Sequence, residues 1–209
     1  MQMKTAIHYQ LGLPESCRIR AAELYEEAFR QKFAPIVKSR KKLIEILTDC
    51  IKPEFAVVAL KEERLVGLAG FHNRGSSFTG GGSASSIIKK LGLFKGLWAI
   101  ALFTILYERK ESQDELLIDG IVVDPSMRGQ GIGTRMLETL FKYATNEGFD
   151  SIRLDVVDTN PDARRLYESQ GFVATKTDHH PYLKPFLGFS SSTTMVKNQL
   201  KKTESSLFL

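Results

Sequence analysis

The chain has 209 residues, 43% hydrophobic and 25% charged, a balance that supports one globular core over residues 1–209 and excludes disordered, fibrous and multidomain organisation. Its two cysteines, Cys17 and Cys50, lack a Cys-x-x-Cys partner or a neighbouring histidine, which excludes a disulfide scaffold or a cysteine metal site and leaves reduced core residues. The net charge of +5 sits on dispersed lysines and arginines without aromatic interleaving, which excludes nucleic acid and fits solvated faces or an anionic ligand; the opening residues carry no secretory apolar stretch, so a cytoplasmic location is expected.

Residues 5–9 read as a first strand, and 14–32 as a helix with Ala21, Leu24, Tyr25 and Phe29 on one side. A second helix is expected over about 37–51, and residues 55–60 with 65–71 make a hairpin around Lys61, Glu62, Glu63 and Arg64. The stretch 74–86 is rich in glycine and serine and reads as a mobile loop, either a plain linker or a lid. It feeds an apolar helical insert, the two together occupying about 74–112, whose run at 97–107 is too short to span a bilayer. Three uses are open to that run: a buried or pocket-lining helix, which its apolar extent favours, a homodimer surface, or an interfacial membrane helix flanked by Lys89, Lys90 and Lys95.

Residues 115–123 form an apolar strand that leads through Asp124 and Pro125 into Arg128-Gly129-Gln130-Gly131-Ile132-Gly133-Thr134. With glycine at 129, 131 and 133 no β-carbon obstructs the turn, so successive backbone N–H groups can converge on a phosphate at the positive end of the next helix. Arg128 adds a full positive charge at the rim. The helix is legible because Ile132, Met136, Leu137, Leu140, Phe141 and Ala144 share a face opposite Arg135, Glu138, Lys142 and Asn146. Gly148 stops it, and 151–157 reads as another strand. A Walker A loop would need lysine after Gly133, where Thr134 stands, and a dinucleotide fingerprint would need glycine at 134 or 136.

Downstream, Asn160 is an N-cap and Pro161 an N1 residue, and Gly171 suits the position past a short helix on which Ala163, Leu166 and Tyr167 share a face. Arg-Gly-Gln-Gly-Ile-Gly at 128–133 and Asn-x-x-Ala-x-x-x-Tyr-x-x-x-Gly-Phe at 160–172 resemble the two signature motifs of the GNAT superfamily of N-acetyltransferases. The resemblance is densest over 115–172 and extends loosely to the first strand and helices and to a last strand near 190–197, whereas the insert departs from the family's minimal pattern.

That resemblance implies an α/β fold: a mixed central sheet of about six or seven strands, flanked by helices and splayed to form an acetyl-CoA slot. Gly120 stands where a bulge could open such a slot. The implied donor is acetyl-CoA, its pyrophosphate on the backbone of Gly129, Gln130, Gly131, Ile132, Gly133 and Thr134, its pantetheine arm pairing along Ile121, Val122 and Val123. Asn160 is on the cofactor side, although capping alone explains it. The implied acceptor is a small-molecule or peptide amine that attacks directly in a ternary complex, with no metal.

An amine with pKa on the order of 10 is mostly ammonium at neutral pH, so a base or a water relay must deprotonate it. By strict alternation Asp119 shares a face with Leu117, Ile121 and Val123 and is the only ionisable residue in an apolar run, which makes it the candidate base. It could equally be an acid paired with an arginine or one facing water; Glu115, on the same face, is the reserve. Tyr167 matches the family's tyrosine near the thioester sulfur and is either the general acid or a packed aromatic. The loop 179–186 should overhang the acceptor side. The competing class is a non-catalytic acetyl-CoA-binding module, expected if Trp98 or Phe103 plugged the pocket; a membrane-peripheral acetyltransferase is the third.

Overall fold

The apolar run that starts at Glu115 becomes the centre of the sheet. In the computed structural model, which describes residues 6–33, 37–107, 112–184 and 188–198, the strands are β1 (Ile7–Leu11), β2 (Ala56–Lys61), β3 (Arg64–Asn73), β4 (Ser76–Ser77), β5 (Glu115–Val123), β6 (Ser151–Val157), β7 (Val173–His179) and β8 (Ser191–Asn198). The helices are α1 (Arg18–Phe33), α2 (Arg40–Cys50), α3 (Ala84–Leu91), α4 (Leu93–Tyr107), α5 (Ile132–Asn146) and α6 (Pro161–Ser169). Residue 5 of the expected first strand, residue 108 at the expected end of the insert helix, and residues 185–186 of the expected loop lie outside the described residues.

Among the described residues the strands form one eight-stranded mixed sheet, ordered β1-β2-β3-β5-β6-β8-β7, with β4 paired to β3. The sheet exceeds the expected six or seven strands by the two-residue β4, which sits in the stretch read as a loop. Two cores flank it. Leu24 and Tyr25 of α1 and Leu43 and Leu47 of α2 pack on one face with Phe78, and Met136, Leu137 and Leu140 of α5 pack on the other with Leu116, Ile118 and Tyr167.

Among the described residues the parallel pairing is that of β5 with β6, Glu115 with Ser151, Leu116 with Ile152 and Leu117 with Arg153. Beyond it both strands continue but part, which leaves one edge of β5 open. The parting coincides with a register shift against β3: Gly70 faces Gly120 and Phe71 faces Ile118, so Asp119 is the extra residue of a bulge. A bulge bends and twists its strand. It also inverts the alternation expected for Asp119. The carboxylate turns to the α1 face, where Tyr25 donates to it and Val122 packs, while Ile121 and Val123 pack on the α5 side. A β-carbon at Gly120 would lie 2.4 Å from Phe29 Cζ, so this glycine admits the α1 ring against the strand.

The glycine- and serine-rich stretch is tied down. Phe78 is fully buried, Lys52 N–H donates to Phe78 O at 2.7 Å, and Gly81 N–H donates to Cys50 O at 2.8 Å. A β-carbon at Gly82 would stand 2.3 Å from Cys50 Sγ, so the segment packs directly on α2. Of α4, Ala99 is buried, whereas Leu93, Phe94, Leu97 and Trp98 are exposed. Among the described residues no helix is long and apolar enough to cross a membrane.

Candidate active site

The open edge of β5, the glycine turn and α6 enclose a cavity of about 620 Å³. Ile121, Val122 and Val123 form its strand wall, Arg128, Gly129, Gly131, Ile132, Gly133 and Thr134 its turn, and Asn160 and Tyr167 its far side. Gly129 and Gly131 have φ of 75° and 76°, left-handed values that cost a side chain about 1–2 kcal/mol. The first backbone bond of α5 runs from Arg135 N–H to Gly131 O at 3.1 Å, so the preceding N–H groups point at the cavity without an intrahelical acceptor. Gln130 is exposed and lines a separate recess with Tyr9 and Arg135 rather than this cavity.

Beneath the turn lies Asp124, nearly buried. Its carboxylate accepts from the Ser126 hydroxyl at 2.7 Å and the Ser126 N–H at 3.0 Å, and pairs with Arg20 Nη2 at 2.8 Å. The Ser126 hydrogen bonds, helped by Arg20, hold this carboxyl below the usual range. Across the cavity, Asn160 Oδ1 accepts from Ala163 N–H at 3.1 Å, the expected cap, which starts α6 and aims Tyr167 inward. Burial pushes the Tyr167 hydroxyl up to about 12, so it stays protonated throughout the neutral range.

Tyr167 also lines a second cleft of about 300 Å³, whose carboxylates are Glu27, Asp119 and Asp155, with Arg30 and Gln31 at the end of α1 and Phe189 from the loop before β8. The first cavity thus presents the glycine turn and Arg128, and the charged side chains of the neighbouring cleft are three carboxylates and Arg30. Asp119 is 8% exposed; the Tyr25 hydroxyl donates to its Oδ2 at 2.5 Å, and His72 Nε2 lies 3.6 Å from its Oδ1. A tyrosine and a histidine are thus among its partners. Glu115 stays on the paired part of β5, bound to Arg153 Nη1 at 2.9 Å, and lines neither cleft. Trp98 is half exposed and plugs neither cleft; the Phe103 side chain lies outside the described residues.

Tyr25, Phe29 and His72 are not legible as site residues in the sequence. Tyr25 and Phe29 read only as the apolar side of a helix, and His72 lies one residue past the expected strand end. The β3–β5 register, pairing His72 with Leu117, brings it to Asp119. Cys50 lines a different cavity, and burial raises its thiol pKa.

The profile of the Acetyltransferase (GNAT) family matches residues 20–172. The chain is 37% identical over 70 residues to thialysine N-epsilon-acetyltransferase of Mus musculus, a match covering 34% of this chain and 41% of that enzyme. It is 32% identical over 74 residues to the Xenopus laevis protein named probable N-acetyltransferase camello, covering 35% and 34%. The chain thus spans about a third to two fifths of the length of these curated relatives. In fold it is similar to yncA of Salmonella typhimurium, solved with its cofactor acetyl-CoA, with a TM-score of 0.60 and 15% identity over 97% of this chain and 99% of that one.

Proposed function

The chain belongs to the GNAT family of acetyltransferases, and on that basis we propose that it moves an acetyl group from acetyl-CoA to a primary amine by direct attack in a ternary complex. The observation that carries the reading is the position of Tyr167, which lines both the open β5 edge with its glycine turn and the carboxylate-lined cleft. The residues suit the donor: a turn of unobstructed N–H groups at a helix N-terminus takes a pyrophosphate, and Arg128 supplies charge at its rim. The free edge of residues 121–123 offers backbone partners to an extended amide chain and an N–H to polarise a carbonyl.

On the acceptor side, Glu27, Asp119 and Asp155 attract an ammonium. Asp119, with His72 beside it, accepts the proton that the ammonium must lose before attack. Tyr167 then donates a hydrogen bond to the leaving sulfur. Complete transfer from a hydroxyl at about 12 to a thiolate of pKa about 8.5 runs uphill by roughly 5 kcal/mol. Its contribution is therefore donation to the developing charge, with transfer completed only as the amine's own proton is released.

Coenzyme A release from acetyl-CoA, measured against pooled amines, peptides and aminoglycosides, tests this. Wild type should turn over in an acceptor-dependent way, and Tyr167→Phe should lower kcat about 100-fold without weakening acetyl-CoA binding. Tight acetyl-CoA binding without turnover on any pool would instead support the non-catalytic binding module.

A further inference from the structure

On the α1 face of the sheet lies another cavity, of about 360 Å³, walled by the end of α1, by α2 and by the insert. Phe33, Ile46, Leu47, Ile87 and Ile100 make it mostly apolar, with Ser77 and Thr79 also on its wall. Two of its sides come from the segment that departs from the family's minimal pattern, held against α2 by the Gly81–Cys50 hydrogen bond and the close approach of Gly82 to the Cys50 thiol. Among its described lining residues there is no carboxylate, lysine or arginine. An ammonium within it would be desolvated without a counter-charge, whereas an alkyl or aryl group would gain by burial.

The lining also includes His72, whose Nε2 is 3.6 Å from Asp119 Oδ1. Asp119 in turn lines the cleft that holds Tyr167. The His72–Asp119 pair therefore stands between cavity and cleft, one partner lining each. A ligand with its chain in the cavity and its nitrogen at this pair has its single charge beside a carboxylate and its apolar body among aliphatic side chains. The volume suits on the order of ten heavy atoms at roughly 30 Å³ each.

We propose that the cavity between α2 and the α3–α4 insert takes the apolar body of the acceptor, so that the substrate class is an amphiphilic monoamine rather than a polyamine. The proposal rests on the acetyl-transfer reading. It is tested with n-alkylamines from propylamine to octylamine at saturating acetyl-CoA, with spermidine as the polycationic comparison. Expected is a rise in kcat/KM of about fourfold per methylene and poor use of spermidine. Ala84 lines the cavity from an exposed position, so Ala84→Trp can fill the cavity without displacing a buried side chain. The variant should lower the octylamine-to-propylamine ratio of kcat/KM at least tenfold, with acetyl-CoA binding reporting that it is folded. Independently of turnover, octylamine alone should raise the Tm of wild type and not of Ala84→Trp. A flat chain-length profile, or a ratio unchanged in Ala84→Trp, overturns the cavity proposal while acetyl transfer stands. Absence of turnover on every amine despite an octylamine-dependent Tm shift overturns the acceptor role together with the reading beneath it.

Discussion

Around the glycine turn, the cavity proposed for the donor is lined by Gly129 and by residues 131–134, a backbone turn shaped by the left-handed Gly129 and Gly131. Around Asp119, in the neighbouring cleft that Tyr167 also lines, the groups are side chains, drawn from α1, β3, β5 and β6 and from the loop before β8. On the proposed reading the first arrangement takes a phosphate whatever the neighbouring side chains are, because the N–H groups belong to every residue. The second changes with each substitution. One fold can thus keep its donor while its acceptor varies, and the two halves should fail in different ways when altered.

The side-chain half should respond most. Asp119→Asn should lower kcat/KM for the amine about 100-fold while leaving the KM for acetyl-CoA unchanged. The variant should also follow the free-amine fraction, its rate climbing about tenfold per pH unit up to the amine pKa near 10. A loss that does not depend on pH would remove Asp119 from the base role.

Tyr167, shared by both halves, reports on their boundary through stability. Below pH 10 the phenol is protonated in folded and unfolded chains alike, and the contribution of its burial is fully present. Between about 10 and 12 the unfolded chain releases the proton while the folded one keeps it, so stability should fall by about 2–3 kcal/mol across that window. Urea titrations at pH 9 and pH 11.5 should show a smaller drop for Tyr167→Phe than for wild type. Equal drops would mean that folding does not raise the Tyr167 pKa.

The backbone half should respond least. Gly131→Val must hold φ near 76° with a β-branched side chain, a strain of about 1–2 kcal/mol, and should raise the KM for acetyl-CoA on the order of tenfold. Relative preference among acceptors should not move. A change in acceptor preference would show that the halves are coupled rather than separate.

Much of this architecture is legible in the chain itself. The cap at Asn160, the glycines at 129 and 131, the apolar face of α5 and the inward aim of Tyr167 all appear where their spacing puts them. Each depends on hydrogen bonds or sterics that close within a few residues, so neighbouring sequence carries the whole instruction. Residues 74–86 mislead because glycine and serine signal flexibility in an isolated chain. Here the glycines permit close packing on α2, anchored by Phe78.

Asp119 marks the boundary most clearly. That an acid stands in the apolar strand next to a glycine, and that a glycine-rich turn leading into a helix follows, can be read along the chain with nothing else in hand. Which way the acid faces and what it meets depend on how the strands are paired. The bulge opposite Gly70 and Phe71 reverses the alternation, and the β3–β5 register brings His72 across a separation of 47 positions while Tyr25 arrives from α1. A strand's face depends on every residue counted into its pairing, and one inserted residue exchanges the two faces from that point onward.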